Sequence, residues 1–384
     1  MSAKSMLQVF YGARIFDGVS IDEDRALVVE DGVVKAIVAV GERPRGGDQH
    51  DLGGGILAPG FVDWQVNGGG GVLFNATPTP EAIQAIAKAH RRDGATSILP
   101  TVITDAPDVL AEALRAARAV LAQRTGSVGV HVEGPYIDVR RKGVHQPEFI
   151  RPMRDEDEAQ LLAAQAGAMV VTVAPASVSV ERIRRLAAAG LIVSLGHTEA
   201  TAEEARAAFA AGASAVTHLF NAMSQLNSRA PGLVGAALAE RGVVCGLIAD
   251  GHHVHDDAMR AALNAKGVDG IALVSDAMPP AAGGRPTFSL QGRPMTQSGT
   301  RLVSEDGALA GAAITMLDAV RYVVGVMGLP LADALRMATL TPARLLKLDR
   351  AIGRFTPSAR ADLVHLGDAL DLNAVWFGGV EEAR

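Results

Sequence analysis

The stretch Ile192–Met223, IVSLGHTEATAEEARAAFAAGASAVTHLFNAM, decides the fold. It reads as a short apolar run closing on His197, an Ala-rich segment of helical period from Thr201 to Gly212, and a second apolar run from Ala215 to Phe220 that carries His218. Apolar runs without alternation fit strands buried on both faces, as in a parallel sheet covered by helices. A buried strand that finishes in an imidazole or a carboxylate sets that group at one rim of the sheet. The same pattern recurs along the chain: Gln65 closes the run from Ile56 to Val66, Glu133 sits in GVHVEGPY (Gly129 to Tyr136), and Asp276 sits in IALVSDA (Ile271 to Ala277).

Three further strand candidates, Thr96 to Val102, Val170 to Ala176 and Val244 to Asp250, join these five to make a set of eight. Helical segments separate them at Pro80 to Asp93, Ala106 to Gln123, Asp155 to Gly167, Val180 to Gly190, Thr201 to Gly212 and Asp256 to Gly267. Alternating strands and helices predict an α/β protein with a parallel (β/α)8 TIM-like barrel, whose active site gathers at the strand C-terminal ends. Residues 1–55 and 353–384 follow a different rhythm of short strands and turns and are expected to pair into one small β-sandwich domain built from both chain ends. The barrel then spans 56–352, with a hairpin insertion near 287–304 turning at Gln291-Gly292-Arg293.

Composition narrows the function. The 384 residues are 48% hydrophobic and 20% charged, enough to bury a large core, and the net charge of −6 offers no basic stripe for nucleic acid. The first 25 residues carry charges throughout and lack an apolar signal-peptide core, and the Leu161 to Val178 stretch is interrupted by Gln165, Thr172 and Pro175. No membrane partner is expected, and a cytoplasmic location is. Cys245 is the single cysteine and lies in an apolar run, as a buried structural thiol does.

The strand-end residues read chemically as a set. A lone histidine at a strand end is more often structural than functional. One carboxylate and two imidazoles, Glu133, His197 and His218, make a three-ligand metal site with a fourth position left for water. Asp276 on the last strand is placed to handle that water's protons, although an aspartate there could also cap a helix. His131 points to the same side of its strand as Glu133 and is expected to support the ligands rather than join them.

The motifs PGFVDWQVNG, HVEGPYID, RKGVHQPEF, SLGHT, THLFNAM, SRAPGLVGA, GLIADGHHV, LVSDAMPPAAGG and LRMATLTPARLL follow in order over almost the whole chain. In this order and spacing the sequence resembles the N-acetylglucosamine-6-phosphate deacetylases, a branch of the amidohydrolase superfamily. The resemblance implies hydrolysis of the N-acetyl amide of N-acetyl-D-glucosamine 6-phosphate, in amino-sugar catabolism and cell-wall recycling, with one divalent ion per chain held by Glu133, His197 and His218. Zn2+ suits such ligands, and Fe2+, Co2+ and Mn2+ fit similar ones. It further implies Asp276 as general base and acid, and His145 as the group that polarises the acetyl carbonyl. Val144, Asn221, Ala222, Arg229, His253, Leu309, Ala310 and Gly311 would bind the sugar phosphate. Arg229 would do so across a homodimer interface, in the neighbouring subunit's site.

Two departures from the wider superfamily bear on the metal. The first strand usually closes on a His-x-His pair, whereas this chain has Gln65-Val66-Asn67, and the fourth strand, VVTVAPA, lacks the lysine that bridges two ions elsewhere. Both departures predict a single metal. The same core would also serve N-acetylgalactosamine 6-phosphate, a cyclic amide or another acyl substrate, and a barrel kept only for scaffolding is the bland alternative.

Overall fold

The computed structural model of the protein describes residues 6–299, 301–304, 307 and 309–383; residues 1–5 of the N-terminal β region and Thr300 of the expected hairpin lie outside the described residues. Eight parallel strands form one sheet in sequence order: β1 (Phe61–Val66), β2 (Ala95–Ile103), β3 (Gly129–Glu133), β4 (Ala168–Val173), β5 (Ile192–Leu195), β6 (Ala215–Val216), β7 (Val244–Ile248) and β8 (Ile271–Val274). A parallel bridge between Val66 and Ala277 joins the exit of β8 to β1 and closes the sheet into a (β/α)8 barrel. Every residue of β1, β2 and β3 is buried, including the polar Asp63, Gln65, His131 and Glu133.

Several of the helices are amphipathic and capped by their own sequence. Thr79 accepts a hydrogen bond from the backbone of Ala82 at the start of helix Pro80–Arg92. Thr201 and Glu204 form a reciprocal capping box on helix Ala202–Ala210, a device worth about 1 kcal/mol. Inside the barrel, Trp64 on β1 stacks on His131 of β3 with ring centroids 5.8 Å apart. Gly246 on β7 leaves room for that indole, since a Cβ there would lie 2.7 Å from Trp64 Cζ2. Beside it runs a buried polar relay: Thr172 Oγ1 contacts both His131 Nε2 and Thr217 Oγ1 at 2.7 Å, and Thr217 contacts Ser194 Oγ at 2.7 Å.

Three sequence expectations change. The run Ile56 to Val66 is two strands broken at Gly60. Ile56–Pro59 pairs parallel to Arg14–Phe16 and antiparallel to Leu363–Leu366, and only Phe61–Val66 enters the barrel. The break is dense: a Cβ on Gly60 would sit 2.1 Å from Thr96 Oγ1. The expected hairpin is a four-stranded antiparallel meander, Thr287–Leu290, Arg293–Ser298, Arg301–Ser304 and Leu309–Ala312. Its first turn is Gln291-Gly292 alone, both with positive φ (50° and 81°) as a two-residue turn requires, and Arg293 pairs with Leu290. The sixth barrel strand stops after two residues, because His218, Phe220 and Ala222 all adopt positive φ (30°, 78° and 50°) and turn the chain away.

The chain ends build two facing sheets. One orders Val33–Ala39, Arg25–Glu30, Leu7–Tyr11 and Asp48–Asp51; the other orders Val380–Glu381, Leu372–Phe377, Leu363–Leu366, Ile56–Pro59, Arg14–Phe16 and Ile21–Asp22. Phe10, Leu27 and Val29 from the first pack on Ile15, Leu57, Leu363 and Trp376 from the second, which makes a small β-sandwich.

Candidate active site

The polar residues that close the barrel strands converge at one rim. Glu133 is the last residue of β3; His197, His218 and Asp276 each sit two residues beyond β5, β6 and β8, with φ of 46°, 30° and 49°. Such backbone is uncommon for residues other than glycine and is held only where the surroundings over-determine it. It turns the three side chains across the barrel mouth instead of along the strand.

Glu133 Oε1 lies 3.2 Å from His197 Nε2 and 3.0 Å from His218 Nε2, and the two Nε2 atoms are 3.0 Å apart. His197 Nδ1 donates to the backbone carbonyl of Arg141 at 2.8 Å. A neutral His197 therefore carries its proton on Nδ1 and turns a bare Nε2 lone pair toward a carboxylate oxygen. That approach is repulsive unless a cation, a proton or a metal ion, stands between them. Burial alone raises the Glu133 carboxyl, but hydrogen bonds and charge from His197 and His218 outweigh it and hold it well below the usual carboxylate range. The donor set and its convergence thus fit a divalent ion.

Two amides organise the carboxylates. Gln65 Nε2 donates to Glu133 Oε1 and to Asp276 Oδ1, each at 3.1 Å, and Asn67 Nδ2 donates to the same Asp276 oxygen at 2.7 Å. Burial, with the neighbouring Glu133 charge, pushes Asp276 up to about 7. Beneath it Asp63 is fully buried against the Ser275 hydroxyl, and burial pushes its carboxyl to about 7 as well. His131 bonds the Trp64 carbonyl and Thr172, away from the Glu133 cluster, and burial lowers it to about 4, so it stays a neutral supporting group.

His145 enters from the loop after β3. Its ring centroid is 4.4 Å from that of His197, and its Nδ1 is 2.7 Å from Thr104 Oγ1. Burial, then the charge of His197, holds its pKa well below the ordinary imidazole value, so the ring is neutral. The turn of the inserted meander clasps this loop. Gln291 Nε2 donates to the Thr104 carbonyl at 2.7 Å, Gln146 Nε2 donates to the Gln291 carbonyl at 3.3 Å, and Arg293 donates to the Val144 carbonyl.

A cavity of about 380 Å³ opens over this cluster, and Glu133, His197, His218, Asp276, His145, Val144, Asn221, Ala222, His253, Leu309 and Gly311 all face it. Two expected residues do not. Ala310 is buried in an apolar cluster with Met278 and Leu302, because Leu309–Ala312 is a strand and alternate residues face opposite ways. Arg229 is exposed outside the cavity. Sequence reasoning missed Asn67, Thr104 and Asp250. Asp250 closes the apolar run GLIAD, the same signal that marks the ligands; its Oδ2 is 2.7 Å from His253 Nδ1 and it accepts both the His252 and His253 amides.

The sequence pattern of the Amidohydrolase family matches residues 56–381. The chain belongs to the amidohydrolase family. It is 39% identical over 381 residues to an N-acetylgalactosamine-6-phosphate deacetylase of Shewanella sp. (strain ANA-3), covering 97% of this chain and 96% of the relative. Identity is 34% over 355 residues to an N-acetylglucosamine-6-phosphate deacetylase of Haemophilus influenzae, covering 91% and 92% of the two chains. The crystal structure of N-acetylglucosamine-6-phosphate deacetylase from Pasteurella multocida superposes on this amidohydrolase with a TM-score of 0.95 at 33% identity, covering 99% of this chain and all of that one (100%). Among the described residues no helix is long and apolar enough to cross a membrane.

Proposed function

We propose that this amidohydrolase hydrolyses the N-acetyl amide of N-acetyl-D-glucosamine 6-phosphate to D-glucosamine 6-phosphate and acetate. The observation that carries the reading is the meeting of Glu133, His197 and His218 with a separate carboxylate, Asp276, and a neutral imidazole, His145, around one cavity. Glu133, His197 and His218 would hold one divalent ion, with Zn2+ suited to the donors and Fe2+, Co2+ or Mn2+ fitting similar ones. A second ion is disfavoured by Gln65 and Asn67, whose amides donate into the place where a His-x-His pair would ligate. Lewis acidity at the bound ion lowers the pKa of water and polarises the acetyl carbonyl.

The chain's own groups carry the proton. Asp276 takes it from the attacking water and delivers it to the departing amine nitrogen, a service worth roughly 10²- to 10⁴-fold. His145 donates to the oxygen that becomes negative, and a donor of this kind is worth about 3 kcal/mol in a dry site. Asn221, Ala222 and His253 bind the sugar phosphate, with His253 oriented by Asp250. Arg229 completes that site from the second subunit of a homodimer, a reading supported by its exposed side chain, which has no ion-pair partner among the described residues.

A second reading, N-acetylgalactosamine 6-phosphate as substrate, is favoured by the 39% identity to the Shewanella enzyme. One assay decides: acetate release from both epimers, each with and without the 6-phosphate. Equal rates with and without phosphate would refute the sugar-phosphate reading, and a higher kcat/KM for the galacto epimer would replace the first substrate by the second.

A further inference from the structure

The hydrogen-bond partners of His197, His131 and His145 settle which nitrogen carries the proton in each neutral ring. His197 and His131 pair Nδ1 with the carbonyls of Arg141 and Trp64, and a carbonyl only accepts, so in the neutral rings both protons sit on Nδ1. His145 pairs Nδ1 with a hydroxyl, which can donate or accept, so the direction follows from what else the hydroxyl can do. Thr104 is fully buried, and His145 Nδ1 is the one partner of its Oγ1 among the described residues. A proton on His145 Nδ1 would leave the Thr104 hydroxyl a buried donor with no acceptor, which folded interiors avoid. The opposite direction satisfies both groups.

We infer that Thr104 is a positioning residue whose hydroxyl donates to Nδ1 of His145 and fixes the neutral imidazole as its Nε2–H tautomer, the form able to donate to the acetyl oxygen. The inference rests on the deacetylase reading and on the place of His145 in it. Two neighbouring rings 4.4 Å apart thus hold opposite tautomers for opposite tasks: His197 offers a bare Nε2 to a cation, and His145 offers an Nε2–H to an oxygen. The surroundings guard the arrangement. Gly134 has φ 88°, and a Cβ on it would come within 2.1 Å of Thr104 Oγ1. Gln291 holds the Thr104 carbonyl and Arg293 the Val144 carbonyl, so one turn of the inserted meander fixes both ends of the Thr104–His145 bond.

The test uses the purified, metal-loaded enzyme labelled with ¹⁵N at histidine, with the His145 signals assigned by their loss in His145→Gln. In the wild type, Nδ1 of His145 is expected to report an unprotonated nitrogen and Nε2 a protonated one. Thr104→Val keeps the shape and removes the hydroxyl; it should raise the Nδ1–H population and lower kcat by roughly ten- to a hundredfold while KM moves less than about threefold, as loss of a contact made in the transition state does. Thr104→Ser should restore kcat to within about threefold of wild type. A protonated Nδ1 in the wild type, or full kcat in Thr104→Val, overturns the inference. A wild type that releases no acetate from either amino-sugar phosphate refutes the functional reading instead, and the wild-type spectrum still decides the tautomer.

Discussion

Asn67 donates its side-chain amide to Asp276 across 2.7 Å, inside a barrel mouth where burial and the Glu133 charge push Asp276 up to about 7. A general base works only when deprotonated, so kcat/KM should climb with pH and level off. A bound cation opposes that rise and lowers the Asp276 pKa, which places the limb at or below about pH 7. Asn67→Ala removes a hydrogen bond to the charged form, typically about 1.5–3 kcal/mol, and should move that limb up by roughly one to two pH units. Asp276→Asn should cut kcat by at least about a hundredfold at every pH. The pH profiles of the three proteins check this, and a limb unmoved in Asn67→Ala would remove Asn67 from the proton chemistry.

The contact of Glu133 Oε1 with two Nε2 atoms at 3.0–3.2 Å predicts one tightly held divalent ion per chain. Protons and metal compete for the same nitrogen lone pairs, so affinity for the ion should fall as the pH drops. His218→Ala should lose the metal and the activity together. Elemental analysis of wild type and variant, before and after dialysis against a chelator, gives the stoichiometry; two firmly held ions per wild-type chain would contradict the role given to Gln65.

What the sequence disclosed and what it hid have physical reasons. Glu133, His197, His218 and Asp276 were legible because strands buried on both faces read as unbroken apolar runs, and a polar residue closing such a run has one place to go. Thr104 and Asn67 were not, since their partners His145 and Asp276 lie 41 and 209 residues away and only register across the barrel brings them together. Ile56–Pro59 looked continuous with β1 because pairing with Leu363–Leu366, at the other end of the chain, leaves no local mark. The second arm of the expected hairpin is two strands, Arg293–Ser298 and Arg301–Ser304; RPMTQS is mostly polar and half exposed, so periodicity could not mark where it ends. Ala310 shows a different lesson: once Leu309–Ala312 is a strand, the period of two itself sends Ala310 away from the cavity that Leu309 and Gly311 line.

Packing of the barrel interior gives a stability prediction. A Cβ on Gly246 would lie 2.7 Å from Trp64 Cζ2 and 3.3 Å from the backbone nitrogen of His218. Trp64 is fully buried and stacked on His131, so it has nowhere to swing. Gly246→Ala should destabilise the protein by about 1–3 kcal/mol, the usual cost of overpacking. Because the push is relayed toward His218, metal affinity should weaken as well. Thermal denaturation of metal-loaded and metal-free variant measures both; an unchanged midpoint would mean that the indole has slack.

Arg229 separates the sugar-phosphate reading from its rivals. It is exposed and stands outside the cavity formed by its own chain, while His253 lines that cavity with its ring held by Asp250. If Arg229 completes the phosphate site of a second subunit, Arg229→Ala should lower kcat/KM for the phosphorylated sugar by about 10- to 150-fold, the worth of one charge-assisted hydrogen bond of about 1.5 to 3 kcal/mol. An unphosphorylated N-acetyl sugar, already a poor substrate, should be hydrolysed at an unchanged rate. His253→Ala should show the same selectivity within one chain. Mixing inactive Asp276→Asn subunits with Arg229→Ala subunits supplies the dimer test: a mixed dimer holds one site with both Asp276 and a neighbour's Arg229, so activity toward the phosphorylated sugar should reappear on mixing. If it does not, while both variants remain dimeric by light scattering, Arg229 does not act across the interface and the phosphate must be met by His253 and the Asn221–Ala222 loop alone.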